Sequence, residues 1–173
     1  MTFEQRAKKI RWLILDVDGV LTDGKIVYDD RGRELKFFDV QDGAGIVYWQ
    51  RAGRRSAIIT ARRSPLVAKR ARELHVDRVY QRALRKLEAY HDLKRRYRVS
   101  DAAICAMGDD LMDLPILRRA GLAIAVANAV PEVRHAAHYV TRRAGGDGAV
   151  RELIERLLKA QGLWPQILAR YLR

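Results

Sequence analysis

Short apolar runs alternate with amphipathic stretches along almost the whole chain. Runs of strand length fall at residues 12–15, 57–60, 78–80, 103–107, 122–126 and 139–141. Between them, apolar positions recur at helical spacing, as with Leu84, Leu87, Tyr90 and Leu93 in the stretch ending at Tyr97. Ser64-Pro65 predicts an N-cap followed by proline at the first helical position, with the helix running to about Leu74. Further helices are predicted after Asp110 and from Gly148 to about Ala160. Strands alternating with helices predict an α/β fold, a Rossmann-like parallel sheet with helices on both faces.

One segment breaks the alternation. Lys25-Ile26-Val27-Tyr28 and Glu34-Leu35-Lys36-Phe37-Phe38 flank Asp29-Asp30-Arg31-Gly32, a turn signal between two strand-like runs. This predicts a β-hairpin flap over about residues 25–38. The hairpin and one helix use most of the chain between Asp16 and Thr60, so no separate cap domain is expected. Residues 1–162 form the predicted domain and residues 163–173 a C-terminal tail with Trp164 and Tyr171 available to pack.

The 173 residues and 49% hydrophobic content suit one domain with a full core and argue against disorder. No apolar run approaches the roughly 20 residues of a membrane helix, and no signal-peptide pattern follows the polar N-terminus. A cytoplasmic protein with no membrane partner is expected. The one cysteine, Cys105, lies in an apolar run and reads as a buried thiol. The histidines show no metal-ligand spacing with the acidic motifs. The net charge of +13 raises the question of nucleic acid. The arginines are scattered in pairs, such as Arg54-Arg55, Arg95-Arg96 and Arg118-Arg119, rather than gathered in one patch. No nucleic-acid partner is expected.

The chemistry begins at Asp16-Val17-Asp18-Gly19-Val20-Leu21-Thr22-Asp23-Gly24, directly after the first apolar run. Carboxylates at the carboxyl end of a parallel strand sit where open α/β sheets bind ligands. Held close together they repel unless they share a cation or a proton. Three more elements fall at later strand ends: Thr60, Lys86, and Gly108-Asp109-Asp110-Leu111-Met112-Asp113. Carboxylates, a hydroxyl and an ammonium at one sheet edge match phosphoryl chemistry with a hard divalent cation.

These four elements resemble, in order, the four motifs of the haloacid dehalogenase superfamily of phosphohydrolases. The resemblance implies that Asp16 is the nucleophile, forming an aspartyl-phosphate. It makes Asp18 the acid that protonates the leaving alcohol and then activates water. It implies Mg²⁺ on Asp16, the Asp18 backbone carbonyl and Asp109, with Asp110 and Asp113 in support. Thr60 and Lys86 would hold the phosphoryl group.

A narrower resemblance covers nearly the whole chain. The acidic motif, the hairpin, Phe38-Asp39-Val40-Gln41-Asp42-Gly43-Ala44-Gly45-Ile46, Ile58-Ile59-Thr60-Ala61-Arg62, and Ala144-Gly145-Gly146 through Glu152 are similar to the 3-deoxy-D-manno-octulosonate 8-phosphate phosphatase family. That family implies a capless homotetramer whose tail can reach a neighbour's site. It also implies that Asp39, Val40, Gln41, Asp42, Gly43, Arg62 and Arg70 face a sugar-acid phosphate. The chain departs from the family pattern at Asp39, Gln41, Val47, Ala61 and Arg82. The family often has arginine at Gln41 and a basic residue at Val47, so two cations are missing from the expected pocket. Arg82 is a candidate replacement. The alternatives are a nonulosonate 9-phosphate or a smaller sugar phosphate as substrate, or a non-catalytic scaffold.

Overall fold

The computed structural model describes residues 1–172; Arg173, the last residue of the expected tail, lies outside the described residues. Six parallel strands form one sheet in the order β5-β4-β1-β6-β7-β8. They are β1 (Trp12–Leu15), β4 (Arg55–Ile59), β5 (Arg78–Tyr80), β6 (Ile104–Gly108), β7 (Leu122–Ala125) and β8 (Tyr139–Val140). The chain builds β4 and β5 on one side of β1, then crosses back to β6 on the other. The crossovers place α2 (Val40–Arg51) and α3 (Pro65–Glu73) on one face, as the right-handed rule for parallel strands requires. They place α4 (Lys86–Tyr97), α5 (Leu114–Leu117) and α6 (Pro131–Ala136) on the other. The long α7 (Ala149–Ala160) returns to the first face and packs along α2.

Strand β1 is buried throughout, as its unbroken apolar run requires. Its last residue, Leu15, is level with Ile58 of β4 and Met107 of β6. Asp16, Thr60 and Asp109 therefore leave the sheet at one edge, where the strand order reverses.

Several boundaries differ from the sequence reading. Helix α4 starts at Lys86, and Leu84 stands 74% exposed in the loop before it. Arg82 adopts a left-handed conformation there, and the Ala83 amide donates to the Thr60 carbonyl at 3.0 Å. That loop delivers Lys86 to the site edge. A short N-terminal helix, α1 (Phe3–Ala7), and α6 were not anticipated; both are under seven residues, too short for clear periodicity. The hairpin is present, with β2 (Val27–Tyr28) and β3 (Glu34–Leu35) antiparallel. Asp29 closes its turn by accepting from the Arg31 and Arg33 amides at 2.9 and 2.8 Å.

The C-terminal segment folds back on its own chain. Helix α8 (Trp164–Leu168) brings Trp164 against Tyr48, with ring centroids 6.2 Å apart. The Arg51 guanidinium donates to the Tyr171 hydroxyl at 2.8 Å. Arg51 ends α2 at the edge of the sheet opposite the site. Residues 163–172 thus pack away from their own site.

Asp42 corrects one expectation. The family resemblance turns it toward substrate, but its side chain is buried and caps α7. It accepts from the Arg151 amide at 2.8 Å and the Gly148 amide at 3.3 Å. Burial pushes its carboxyl up to about 6 against the pull of those amides. Asp42→Ala is expected to cost about 1–2 kcal/mol as a lost cap, lowering Tm by roughly 2–8 °C in a thermal melt. Asp42→Asn keeps an acceptor and should lose less. The raised carboxyl favours the folded state below the unfolded value of 3.8, a contribution that fades as pH rises through about 6. The Asn variant should therefore gain on the native protein across that window.

Candidate active site

Asp16 follows β1 directly, and the chain then turns tightly. The Val20, Leu21 and Thr22 amides all donate to the Val17 carbonyl, and the Thr22 hydroxyl accepts from the Gly19 and Gly24 amides at 3.3 and 3.2 Å. Gly19 has a φ of +96°, and a Cβ there would stand 2.0 Å from Asp109 Oδ2. Only glycine permits both the turn and the approach of Asp109.

Behind Asp16, the buried Lys86 ammonium lies 2.9 Å from Asp16 Oδ1 and 2.6 Å from Asp113 Oδ1. The other oxygen of Asp113 accepts from the Asp109 amide at 3.1 Å and the Asp110 amide at 3.4 Å. Asp113 thereby shapes the loop that presents Asp109. Asp110 is exposed and caps the 3₁₀ turn Leu111–Asp113, accepting from the Leu111 amide at 2.7 Å.

The charges do not balance. Asp16, Asp109 and Asp113 each offer an oxygen, all within 4.8 Å of one another. Burial, with the Asp113 charge adding, pushes Asp16 up to about 6 against the pull of Lys86. Burial and the charges of Asp16 and Asp113 push Asp109 up to about 7. Burial works against the Lys86 charge, but the two carboxylates outweigh it and hold its pKa above the ordinary lysine range. Asp109 Oδ1 is buried without a hydrogen-bond partner among the described residues. An orphaned oxygen and an excess of carboxylate fit a hard divalent cation.

These groups line a cavity of about 290 Å³ with Asp18, Gly24, Thr60, Ala61, Arg62 and Met112. Asp18 pairs with Lys36 of the hairpin, and its second oxygen lies 3.8 Å from Arg62 Nε. Arg62 Nη2 donates to Glu34 at 2.9 Å. An adjoining hollow of about 390 Å³ is lined by Lys36, Phe38, Val40, Leu66, Lys69, Arg70 and Glu73.

Of the expected substrate residues, Arg62 reaches the first cavity, and Arg70 and Val40 the second. Asp39 instead caps α2, accepting from the Asp42 amide at 2.8 Å. Gly43 lies beneath Arg70, where a Cβ would stand 2.3 Å from its guanidinium. Gln41 accepts from Arg143 at 2.9 Å, so a cation does stand at this loop, supplied by a residue the sequence reading passed over. Arg82 is not brought into either space; it lines a separate hollow with Tyr80, Leu84 and Glu88. Lys36 and Glu34 were also passed over, because a charged pair on a predicted flap carries no signal of burial.

The site is that of a hydrolase whose carboxylates gather around an ammonium and could hold a divalent cation. Residues 45–153 match the haloacid dehalogenase-like hydrolase model. A 3-deoxy-D-manno-octulosonate 8-phosphate phosphatase from Yersinia pestis is 46% identical over 157 residues, 91% of this chain and 84% of that protein. The enzyme of that name from Escherichia coli K12 is equally similar. A crystal structure of the Moraxella catarrhalis phosphatase, holding magnesium, phosphate and KDO, superposes with a TM-score of 0.95 at 40% identity, covering 97% of each chain. The chain belongs to the haloacid dehalogenase-like hydrolases and is a phosphoric monoester hydrolase.

Asp16 and Asp109 both titrate above the unfolded 3.8, so their contribution to the ion-free fold is present at low pH and lost as pH rises through about 6 and 7. Cation binding needs the deprotonated forms. Saturating MgCl₂ should raise Tm by roughly 3–10 °C at pH 8, and by much less at pH 5.5. Asp109→Asn should remove most of the effect in a melt followed with and without the salt.

Proposed function

We propose that the protein is a Mg²⁺-dependent phosphatase that hydrolyses 3-deoxy-D-manno-octulosonate 8-phosphate through an aspartyl-phosphate. The observation that carries this is the Asp16–Lys86–Asp113–Asp109 cluster at the base of a small cavity that adjoins a cation-rich hollow. Its similarity to phosphatases of that sugar acid, one holding magnesium, phosphate and KDO, supports the choice of substrate and metal.

Asp16, Asp109 and the Asp18 carbonyl would hold Mg²⁺, which when bound supplies positive charge against the phosphoryl oxygens. Thr60 and Lys86 donate to those oxygens and keep them in place as charge redistributes. The Asp16 carboxylate attacks phosphorus, the ester P–O bond breaks, and the departing alcohol oxygen takes a proton from Asp18. A water then gives a proton to Asp18 and attacks phosphorus. The Asp16–phosphorus bond breaks, and inorganic phosphate leaves with Asp16 and Asp18 restored.

The second hollow suits the sugar acid. Arg70 and Lys69 can meet a carboxylate, and the fork of an arginine binds both its oxygens. Arg143 beside Gln41 returns a cation to the loop that lacks the family's arginine. This reading carries with it a cytoplasmic homotetramer, to be checked by sedimentation.

Phosphate release with Mg²⁺ and with chelator tests the proposal across a panel of esters. We expect preference for 3-deoxy-D-manno-octulosonate 8-phosphate over a nonulosonate 9-phosphate and hexose phosphates. Asp16→Asn should abolish turnover, and Asp18→Asn should lower kcat by about 10²–10⁴-fold. Preference for another ester would keep the mechanism and move the substrate. No Mg²⁺-dependent turnover of any ester would favour a scaffold.

A further inference from the structure

Lys36 follows β3 in the hairpin, yet its side chain is only 2% exposed. A lysine is seldom buried without a partner, because an unpaired ammonium away from water is very costly. Here the ammonium pairs with Asp18 Oδ1 and lies 3.4 Å from Glu34. Arg62 closes the arrangement, 3.8 Å from the other oxygen of Asp18 and 2.9 Å from Glu34. Asp18, Lys36, Glu34 and Arg62 thus form a ring of alternating charge. It joins the loop after β1, the hairpin, and the loop after β4.

The position of this ring matters more than its strength. Asp18 lines the small cavity with Asp16, whereas Lys36 lines the adjoining hollow with Arg70. The Asp18–Lys36 pair is therefore the partition between the two spaces. An ester with its phosphoryl group in the first space and its alcohol in the second would have its bridging oxygen near that partition. A proton donor to the leaving group is effective only within hydrogen-bond reach of that oxygen.

We propose that Lys36 is a positioning residue: its ion pair fixes the Asp18 carboxyl at the partition, facing the leaving-group oxygen, and so links leaving-group protonation to the seating of the hairpin. The proposal rests on the phosphatase reading above. It makes a demand that a merely structural lysine does not. Removing Lys36 should slow aspartyl-phosphate formation from esters whose alcohol must be protonated as it leaves, and spare its formation from esters whose leaving group departs without a proton, whereas the later attack of water, which also uses Asp18, is common to both.

The test compares the native protein with Lys36→Gln and Lys36→Arg on two kinds of substrate. One is 3-deoxy-D-manno-octulosonate 8-phosphate, an alkyl ester. The other is p-nitrophenyl phosphate or acetyl phosphate. For Lys36→Gln we expect the single-turnover rate of aspartyl-phosphate formation from the saturating alkyl ester to fall roughly 10- to 100-fold, with the same rate from the activated esters within about threefold of native. Lys36→Arg keeps the charge and should recover part of the loss. The arginine variant also tests the idea should the glutamine variant not fold, since a displaced cation should still lower only the alkyl-ester rate. Equal losses in that formation rate on both substrates, or no loss on either, would overturn the proposal. A native protein inactive on every ester with Mg²⁺ would instead remove the phosphatase reading, and the proposal with it.

Discussion

Mutual repulsion among carboxylates is the constraint around which the site edge is organised. Asp16, Asp109 and Asp113 crowd together at the ends of β1 and β6, and among the described residues only the Lys86 ammonium stands among them. Burial comes first and one positive charge facing three carboxylates adds to it, and together they push Asp16 and Asp109 above the usual carboxylate range. The fold keeps this unfavourable arrangement by bracing it from behind. Asp113 is tied to two backbone amides, and the turn at Gly19 lets Asp109 close in where any side chain would exclude it. Such stored repulsion is an attraction for any group that brings positive charge.

A second set of charges, balanced within itself, stands beside the first. Asp18 is only two residues from Asp16, but Lys36 and Arg62 neutralise it and Glu34 completes the ring. Two aspartates in one short motif thus live in different electrostatic surroundings, and two carboxylates held in unlike environments can take unlike roles. The hairpin is what makes the difference. Its strands are two residues each, too short for much stability of their own. Its hold on the body of the protein comes in good part from charged side chains that also belong to the site.

Much of this was legible in the residues. Each of the six strands was foreseen within two residues at either end, because parallel strands buried on both faces show up as plain apolar runs. The acidic motif, Thr60, Lys86 and the Asp109–Asp113 segment do converge at one edge. What stayed hidden was orientation. Asp42 and Asp39 sit in a motif that resembles a substrate loop, yet both spend their carboxylates on helix N-termini, a use that depends on where α7 returns in space. Leu84 matched a helical period and lies outside the helix, since the loop needed to aim Lys86 overrides the local pattern. Lys36 and Arg143 carry no sequence sign of their contacts, whose partners are 18 and 102 positions away.

The place of β1 at the centre of the sheet has a consequence for how the chain is made. β1 leaves the ribosome before either of its neighbours, and it is paired on both edges: Trp12 pairs with Arg55 on one side and Ile104 on the other. At synthesis rates of about 5–20 residues per second, the second neighbour follows the first strand by on the order of ten seconds. Throughout that interval a fully apolar strand has an open hydrogen-bonding edge, the feature that invites pairing with other chains. The nascent protein is thus exposed to aggregation in that interval, and a chaperone that binds short apolar segments would find its target in residues 12–15 before the site is assembled.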